Sequence, residues 1–504
     1  MKHGINPLSR KTGMCQYYNM IKTRFAPSPT GYLHIGGLRT ALYSYLFAKQ
    51  NRGKFILRIE DTDQSRAVPG AEKQLIEALQ KMGLKWHEGP IMDKTPSLAE
   101  KGQNGPYFQS KRLKIYQEYV QKLLANGNAY YCFCSTGRLA DLREKQQAEK
   151  LPSKYDGCCR KLTESEIKTK LETGDPKVIR LKVPENREVV FTDLIRGEVK
   201  ISSAEIDDQV LIKSDGYPTY HLANVIDDHL MNISHVIRGE EWLPSTPKHI
   251  LLYEFFGWNV PRFAHLPLLL NKDKSKLSKR QGDVAVEDYL DKGYLPEALL
   301  NYVALLGWHP SNNREIFTLK QLVKEFKLER VQKAGAVFDP EKLNWFNCHY
   351  ISQKKDSELV KLCKKFLPNV DKKLLAKILN VEKERINYLS EIGERAQLFI
   401  NLSDYDKGEL VFKKSNLFNT KKSLQLTLLN LSGLKKWSRD KIKSALSKIV
   451  ADNHLTNGDV FWPARVAVSG LISSPPPEEI MEVLGKEESL NRLKLAVDKM
   501  SELS

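Results

Sequence analysis

No aspartate or glutamate occurs before Glu60, although Lys2, Arg10, Lys11 and Lys22 are basic. An acid-free basic leader has the composition of a mitochondrial transit peptide. Residues 1–20 are therefore expected to be a mitochondrial targeting leader, with the folded chain starting near Ile21. The alternative is a frayed start of a protein from the cytoplasm of a bacterium. The sequence also lacks any apolar run of the roughly 20 residues that a membrane-crossing helix needs, so no membrane partner is expected. Cysteine is scarce, at seven residues in 504. An odd number at such low density excludes a disulfide framework and fits a reducing compartment. No internal repeat recurs, which excludes a solenoid or propeller.

What the chain has in excess is positive charge. Lys and Arg total 79 against 61 acidic residues, a formal net charge of +18. That balance suits a polyanionic partner, although an organellar protein can be basic without one. A hydrophobic fraction of 41% and a charged fraction of 28% describe a globular chain, and its length predicts several domains.

Residues 22–60 read as strand, loop, helix, strand. Lys22 to Ala26 is a short extended run, ended by Pro27-Ser28-Pro29-Thr30-Gly31, where two prolines and a glycine forbid regular structure. Leu38, Ala41, Leu42, Tyr45, Leu46 and Lys49 then recur at helical spacing, Gly53 is a stop signal, and Phe55-Ile56-Leu57-Arg58-Ile59 is an apolar strand suited to a buried parallel sheet. This is a βαβ unit of the nucleotide-binding kind. Residues 68–126 read as helices with loops. Val178–Leu181, Val189–Phe191 and Val210–Ile212 read as strands, as do 233–238 and 264–270 with a helix between. From about 285 onward the chain reads as mostly helical.

Two motifs carry chemistry. In Arg24-Phe25-Ala26-Pro27-Ser28-Pro29-Thr30-Gly31 followed by His34-Ile35-Gly36-Gly37, a kinked loop places an imidazole just before a glycine-opened helix. The free N–H groups and partial positive charge of a helix N-terminus suit ATP phosphates, and an imidazole there can stabilise α-phosphate oxygens under attack. Lys276-Leu277-Ser278-Lys279-Arg280 lies in a polar loop, where two lysines three apart can neutralise a departing pyrophosphate. Taken singly, such a His reads as structural, such a loop as solvated, and Arg58 or Arg238 as half of a surface salt bridge.

Together the two motifs resemble class I aminoacyl-tRNA synthetases. Arg58-Ile59-Glu60-Asp61-Thr62-Asp63, Asp215-Gly216-Tyr217-Pro218-Thr219-Tyr220-His221-Leu222-Ala223-Asn224 and Ile237-Arg238-Gly239-Glu240-Glu241-Trp242 narrow the likeness to bacterial-type glutamyl-tRNA synthetases. Pro463-Ala464-Arg465-Val466-Ala467-Val468-Ser469-Gly470 is similar to that family's closing segment. The resemblance covers nearly all of 21–504. It implies an α/β fold: a Rossmann-type parallel-sheet catalytic domain (21–112 and 223–265) with an inserted acceptor-binding domain (113–222). A stem-contact region bearing the KLSKR loop (266–349) and an all-helical anticodon-binding region (350–504) follow. It implies adenylation of L-glutamate by ATP with Mg²⁺, then transfer to the 3′-terminal adenosine of tRNA(Glu), and in some members tRNA(Gln), by a monomer.

A dicarboxylate with one ammonium needs cations or donors for two carboxylates and an acid for the amine. Arg24, Arg238 and Tyr220 suit a carboxylate, Ser28 and Asn224 add neutral hydrogen bonds, and Glu60 suits the ammonium; the resemblance places these six around the amino acid. It assigns His34, Gly36, Gly37, Glu241, Lys276, Leu277, Ser278 and Lys279 to ATP, with His34, Lys276 and Lys279 acting in catalysis. His221 is assigned no role.

There are departures. Gly37 stands where the family signature usually ends in a second His, a replacement that related bacterial-type members share. Cys132, Cys134, Cys158 and Cys159 offer a four-thiolate zinc set, but Lys161 holds the place of a ligand His found in some relatives, and adjacent Cys158 and Cys159 chelate one ion awkwardly, so reduced thiols are preferred. The Pro27-Ser28-Pro29 loop and helical tail differ from the Pro-Glu-Pro loop and β-barrel of glutaminyl and cytosolic-type glutamyl enzymes. The other readings are an adenylate-forming nucleotidylyltransferase, which would lack the glutamate set, and a paralogue that glutamylates a tRNA base, which would lack the anticodon-binding part.

Overall fold

A computed structural model describes residues 20–63, 65–93, 98–277 and 284–501. The chain forms two units, one running to Leu290 and including Pro296–Pro340, the other made of Asp291–Leu295 and the residues from Glu341 on.

The first unit is built on a six-stranded sheet. Strand β1 (Lys22–Phe25), helix α1 (Ile35–Gln50) and strand β2 (Lys54–Leu57) are the βαβ unit read from the sequence. Leu38, Ala41, Leu42, Tyr45 and Leu46 are buried as their spacing predicts, and so are Tyr43, Ser44 and Ala48. The helix is covered on its far side as well, where the Tyr43 hydroxyl donates to the Ala304 carbonyl (3.0 Å). At Gly53 a Cβ would stand 2.1 Å from the Ile21 carbonyl oxygen; glycine is needed there for backbone to pass backbone, beyond its role as a stop.

The strands lie in the order β2, β1, His235–Gly239, Arg262–Leu266, Glu188–Asp193, Gly197–Ser202. All neighbours are parallel except the last pair, an antiparallel hairpin. The chain leaves β1 toward β2 on one side and later returns to β1's other side with His235–Gly239. That reversal opens a crevice beyond the carboxyl ends of the two strands, where open α/β sheets bind ligands.

Two features differ from the sequence reading. The hairpin Glu188–Ser202 lies inside the stretch expected to be an insert, yet it forms the edge of the main sheet, with Asp193 opposite Phe263. Ala129–Cys132, Val178–Leu181 and Val210–Ile212 make a separate three-stranded antiparallel sheet. Within 68–126, the helices Ala71–Lys81 and Leu113–Ala125 are joined by a hairpin, Gly89–Met92 with Leu98–Lys101, that no apolar alternation announces.

The second unit is all-helical among the described residues, its last five helices running from Leu417–Ser432 to Lys486–Lys499. Buried Arg492 holds them by donating to the carbonyls of Leu398 and Val468, each at 2.7 Å.

Candidate active site

The crevice at the strand reversal gathers most of the predicted residues. Arg24 ends β1. The Pro27–Gly31 turn that follows cannot be helical, and it runs alongside the chain leaving β2: Glu60 N donates to the Pro27 carbonyl (2.9 Å) and Arg58 N to the Phe25 carbonyl (3.0 Å). Tyr220 opens the helix Tyr220–Leu230, and Arg238 is the last residue but one of the strand His235–Gly239. A cavity of about 390 Å³ is lined by Arg24, Ser28, Gly36, Gly37, Glu60, Tyr220, Arg238 and Glu241. A second, of about 610 Å³, shares Ser28, Glu60, Arg66, Tyr220 and Trp242 with it and adds Gln209, Lys213 and His221. A larger cavity of about 680 Å³ near Arg160 and Arg187 holds none of the predicted residues. Its arginines are already committed, to Asp208 and Glu254, so we place the chemistry in the crevice.

On the β1 side the walls are ionic. Arg24 Nε donates to both Asp228 oxygens (3.1 and 3.3 Å), which leaves its two terminal nitrogens without a partner among the described residues while Arg24 lines the cavity. A guanidinium held by its Nε with its outer fork free matches a carboxylate in two parallel bonds. Behind it, fully buried Arg58 reaches Asp228 (2.7 Å), Glu60 (3.1 Å) and Asp227 (3.8 Å). Asp227 also takes Arg112 (2.7 Å), Gln109 (2.8 Å) and the Tyr116 hydroxyl (2.8 Å). Arg58 is thus no surface ion pair, the reading it invites alone. Burial pushes Asp228 up, but Arg24 and Arg58 outweigh it and hold the carboxyl below the usual range. Glu60 goes the other way: burial raises it to about 7 despite Arg58 and Arg24.

On the other side Arg238 is caged by neutral groups. Its Nε donates to His265 (3.0 Å), Nη1 to the Tyr220 hydroxyl (3.1 Å) and to His249 Nδ1 (3.2 Å), and Nη2 to Thr246 (2.8 Å). Tyr220 packs on Trp242 with ring centroids 4.1 Å apart, and burial raises its phenol.

His34 is the N-cap of α1, its Nδ1 accepting from Gly36 N (2.9 Å). Its backbone is bridged to Ala285, with Ile35 N donating to Val284 O (2.9 Å) and Val286 N to Leu33 O (2.8 Å). These bonds carry the residues just after the KLSKR loop to the helix start. Ahead of the loop, Leu277 N returns to Leu269 O (2.9 Å), placing Lys276 and buried Leu277 on a turn whose Leu269 side chain lies next to Gly36. Ser278 and Lys279 lie outside the described residues. His34, Lys276 and Leu277 do not line the cavity, and neither does Asn224. It is buried one turn into the Tyr220–Leu230 helix, with its amide nitrogen unpartnered among the described residues.

Of the four thiols, Cys132, Cys134 and Cys159 converge within 4.8 Å of one another, but Cys158 is exposed. The two adjacent residues sit on one tight turn, Cys158–Lys161, and only one of them can face inward. The fourth inward group is the Tyr155 hydroxyl, 3.5 Å from Cys132 Sγ and 3.3 Å from Cys134 Sγ. Three sulfurs and a phenol oxygen match the donor number of tetrahedral zinc; they equally make a hydrogen-bonded cluster of reduced thiols.

Sequence reasoning missed the second row of residues: Asp227, Asp228, Arg112, Asp193, His249 and His265. One signal was there for the first two, since a pair of acids directly after Val225-Ile226 sits badly in a helix whose neighbours are core.

Known proteins agree with this architecture. Residues 20–345 match the family described as tRNA synthetases class I (E and Q), catalytic domain, and residues 358–497 the anticodon binding domain. The fold and crevice are those of a class I aminoacyl-tRNA synthetase. The glutamate–tRNA ligase of Clostridioides difficile (strain 630) is 47% identical over 494 residues, 94% of this chain and 98% of that one. That of Alkaliphilus metalliredigens (strain QYMF) is 47% identical over 486 residues, again 94% and 98%. A crystal structure of the glutamate tRNA ligase from Elizabethkingia meningosepticum CCUG26117, in complex with its amino acid, superposes with a TM-score of 0.84 at 38% identity, covering 95% of this chain and 99% of that one. The chain belongs to the glutamate–tRNA ligase family.

Proposed function

We propose that this chain activates L-glutamate with ATP and transfers it to tRNA(Glu). The observation that carries the reading is the convergence, in one cavity beside the start of α1, of the free Arg24 fork, the Arg238–Tyr220 pair and Glu60. Arg24 and the Arg238–Tyr220 pair take the carboxylates, Glu60 the ammonium, and Ser28 and Asn224 neutral hydrogen bonds. The glycine-opened start of α1 takes ATP phosphates through Gly36 and Gly37, with His34, Glu241, Lys276, Leu277, Ser278 and Lys279 around the nucleotide and Mg²⁺ on its phosphates.

An oxygen of the glutamate α-carboxylate attacks the α-phosphorus as the bond to the β-phosphate oxygen breaks. Pyrophosphate leaves, its charge met by Lys276 and Lys279. The 2′-hydroxyl of the terminal adenosine then attacks the activated carbonyl, losing its proton as AMP departs. No enzyme nucleophile is needed; positioning and electrostatics supply the rate.

The catalytic, acceptor-binding, stem-contact and anticodon-binding roles follow the boundaries read from the sequence, except that the hairpin Glu188–Ser202 goes with the catalytic sheet. We extend the reading to a monomer working in the mitochondrial matrix, with charging of tRNA(Gln) beside tRNA(Glu) left to the transcript assay below. The matrix location rests on the acid-free leader; the relatives named above are bacterial. Import of a reporter fused to residues 1–30 tests it, and a reporter left in the cytosol returns the protein to a bacterial cytoplasm. For the activity itself, the measurement is glutamate-dependent ATP–pyrophosphate exchange with and without tRNA, followed by charging of tRNA(Glu) and tRNA(Gln) transcripts. His34→Ala or Lys279→Ala should cut exchange with tRNA binding largely kept, and Arg238→Ala should mainly weaken glutamate use. Unchanged exchange in all three removes the site.

A further inference from the structure

Arg238 has five N–H bonds, and four are already spoken for. Every partner is an uncharged acceptor. A guanidinium has no lone pair to offer, so His265 Nε2 and His249 Nδ1 must both be bare. His265 therefore carries its proton on Nδ1, which faces Asp193 Oδ2 at 2.6 Å. His249 carries its proton on Nε2, facing His221 Nδ1 at 3.0 Å. Burial, joined by the neighbouring Arg238 charge, keeps both His249 and His265 below the ordinary imidazole value, so neither adds a second positive charge. The direction of every hydrogen bond that Arg238 makes is thus set, and the Thr246 hydroxyl that accepts one of them has its own proton for the Trp242 carbonyl or His265 Nε2, each at 3.1 Å. The chain of bonds ends at Tyr220, whose oxygen accepts from Arg238 and whose own proton is left to point away from it.

We propose that Asp193, His265, His249 and Thr246 are positioning residues for glutamate selection: they lock Arg238 so that its one remaining N–H and the Tyr220 O–H form a donor-only pair for a substrate carboxylate. The inference rests on the reading that Arg238 holds glutamate. A carboxylate accepts from both donors, whereas a side-chain amide presents N–H to one of them unless it turns away, so the same lock disfavours the amide analogue. It also gives the edge hairpin Glu188–Ser202 a purpose, since that hairpin delivers Asp193.

Asp193→Asn is the sharpest test. Asp193 Oδ1 accepts from the backbone N–H of Ile195 and of Arg196, both at 2.9 Å. An asparagine that keeps its carbonyl oxygen there turns its amide N–H₂ toward His265, whose backbone N–H (3.1 Å) and ring proton had both met Asp193 Oδ2. The His265 proton then moves to Nε2, where it meets the Arg238 Nε–H head-on. The expected result, in ATP–pyrophosphate exchange with tRNA present, is a glutamate KM raised about tenfold or more with the ATP KM within about twofold. Thr246→Val removes a hydroxyl that accepts from Arg238 and donates to the Trp242 carbonyl or His265 without changing shape, and should raise the glutamate KM in the same selective way. Thr246→Ser should restore most of what Val loses, whether or not the Asp193→Asn variant folds. Arg238→Lys separates the two layers of the argument. If it leaves the glutamate KM unchanged, the assignment of Arg238 to glutamate fails. If it raises that KM while Asp193→Asn and Thr246→Val do not, only the lock is overturned. A parallel rise of the glutamate and ATP KM values in those variants also overturns it, because that marks general loss of structure.

Discussion

The two walls of the cavity hold their arginines by opposite means. On the β1 side Arg24, Arg58 and Arg112 face Glu60, Asp227 and Asp228, three cations against three anions, packed out of water. On the far side Arg238 faces two imidazoles, a phenol and a hydroxyl, and Asp193 reaches it only through His265. With Glu60 ionised the first wall carries no net charge, and its use is geometric: it aims the free fork of Arg24. The second gives Arg238 no anion as a direct partner among the described residues, although Glu241 lines the same cavity. A substrate with two carboxylates and one ammonium is thereby offered both a shaped socket and a cation with no direct anion, and neither wall could supply both. The ionic wall is also the one on which folding depends, because a buried charge that loses its partner costs far more than a neutral acceptor that loses a donor.

The largest effect should come from breaking the ionic wall. Arg58→Met leaves Glu60 without its ion-pair partner and takes one of two cations from Asp228 and from Asp227, and is expected to cost about 3–5 kcal/mol of stability in urea unfolding followed by circular dichroism. Thr246→Val on the other wall should cost no more than about 1.5 kcal/mol. Equal losses from the two would show that the walls do not differ in the way described.

Next comes Arg24→Lys. An ammonium can satisfy Asp228 or a substrate carboxylate, not both in two-pronged fashion. Glutamate kcat/KM in ATP–pyrophosphate exchange should fall about 100-fold, with far less loss of stability than in Arg58→Met because Glu60 and Asp228 both keep Arg58. Activity within threefold of the parent would mean that the Arg24 fork is not what grips the substrate.

This contrast also explains what could be read without the structure. Arg24, Glu60, Tyr220 and Arg238 sit at the ends of strands or at a helix start, and their strings resemble one family, so they were legible residue by residue. β1, α1 and β2 were legible because period and punctuation agree. The supporting row was not, because Asp193, His249 and His265 come from three elements that only the parallel pairing of Asp193 with Phe263, and of Arg238 with His265, brings together. Arg58 was misjudged singly because exposure is a property of the sheet rather than of the residue. The hairpin at 89–101 was hidden because four-residue strands carrying Gly89 and Pro90 have too few alternations to show a period of two.

The smallest expected effect separates what the ionic wall does for binding from what it costs the fold. Glu60 is buried, and its folded value of about 7 lies above the 4.5 of an ordinary glutamate. Below about pH 4.5 the carboxyl is neutral in both folded and unfolded chains. Between 4.5 and 7 the unfolded chain releases the proton first, so stability is lost as pH rises through that window and stays low above it. Glu60→Gln keeps an oxygen for Arg58 and never ionises. It should therefore match the parent near pH 4.5 and exceed it by about 3 kcal/mol at pH 8, measured as the difference in unfolding free energy. The same change removes the anion for the substrate ammonium, so glutamate activation should fall while the protein grows more stable. In the parent the glutamate KM should rise as pH drops below about 7, where Glu60 takes up its proton. A variant that is less stable than the parent at pH 8, or a glutamate KM flat from pH 6 to 8, would show that Glu60 is held ionised by Arg58 and Arg24 after all, and the β1 wall would then carry a fixed rather than a titrating charge.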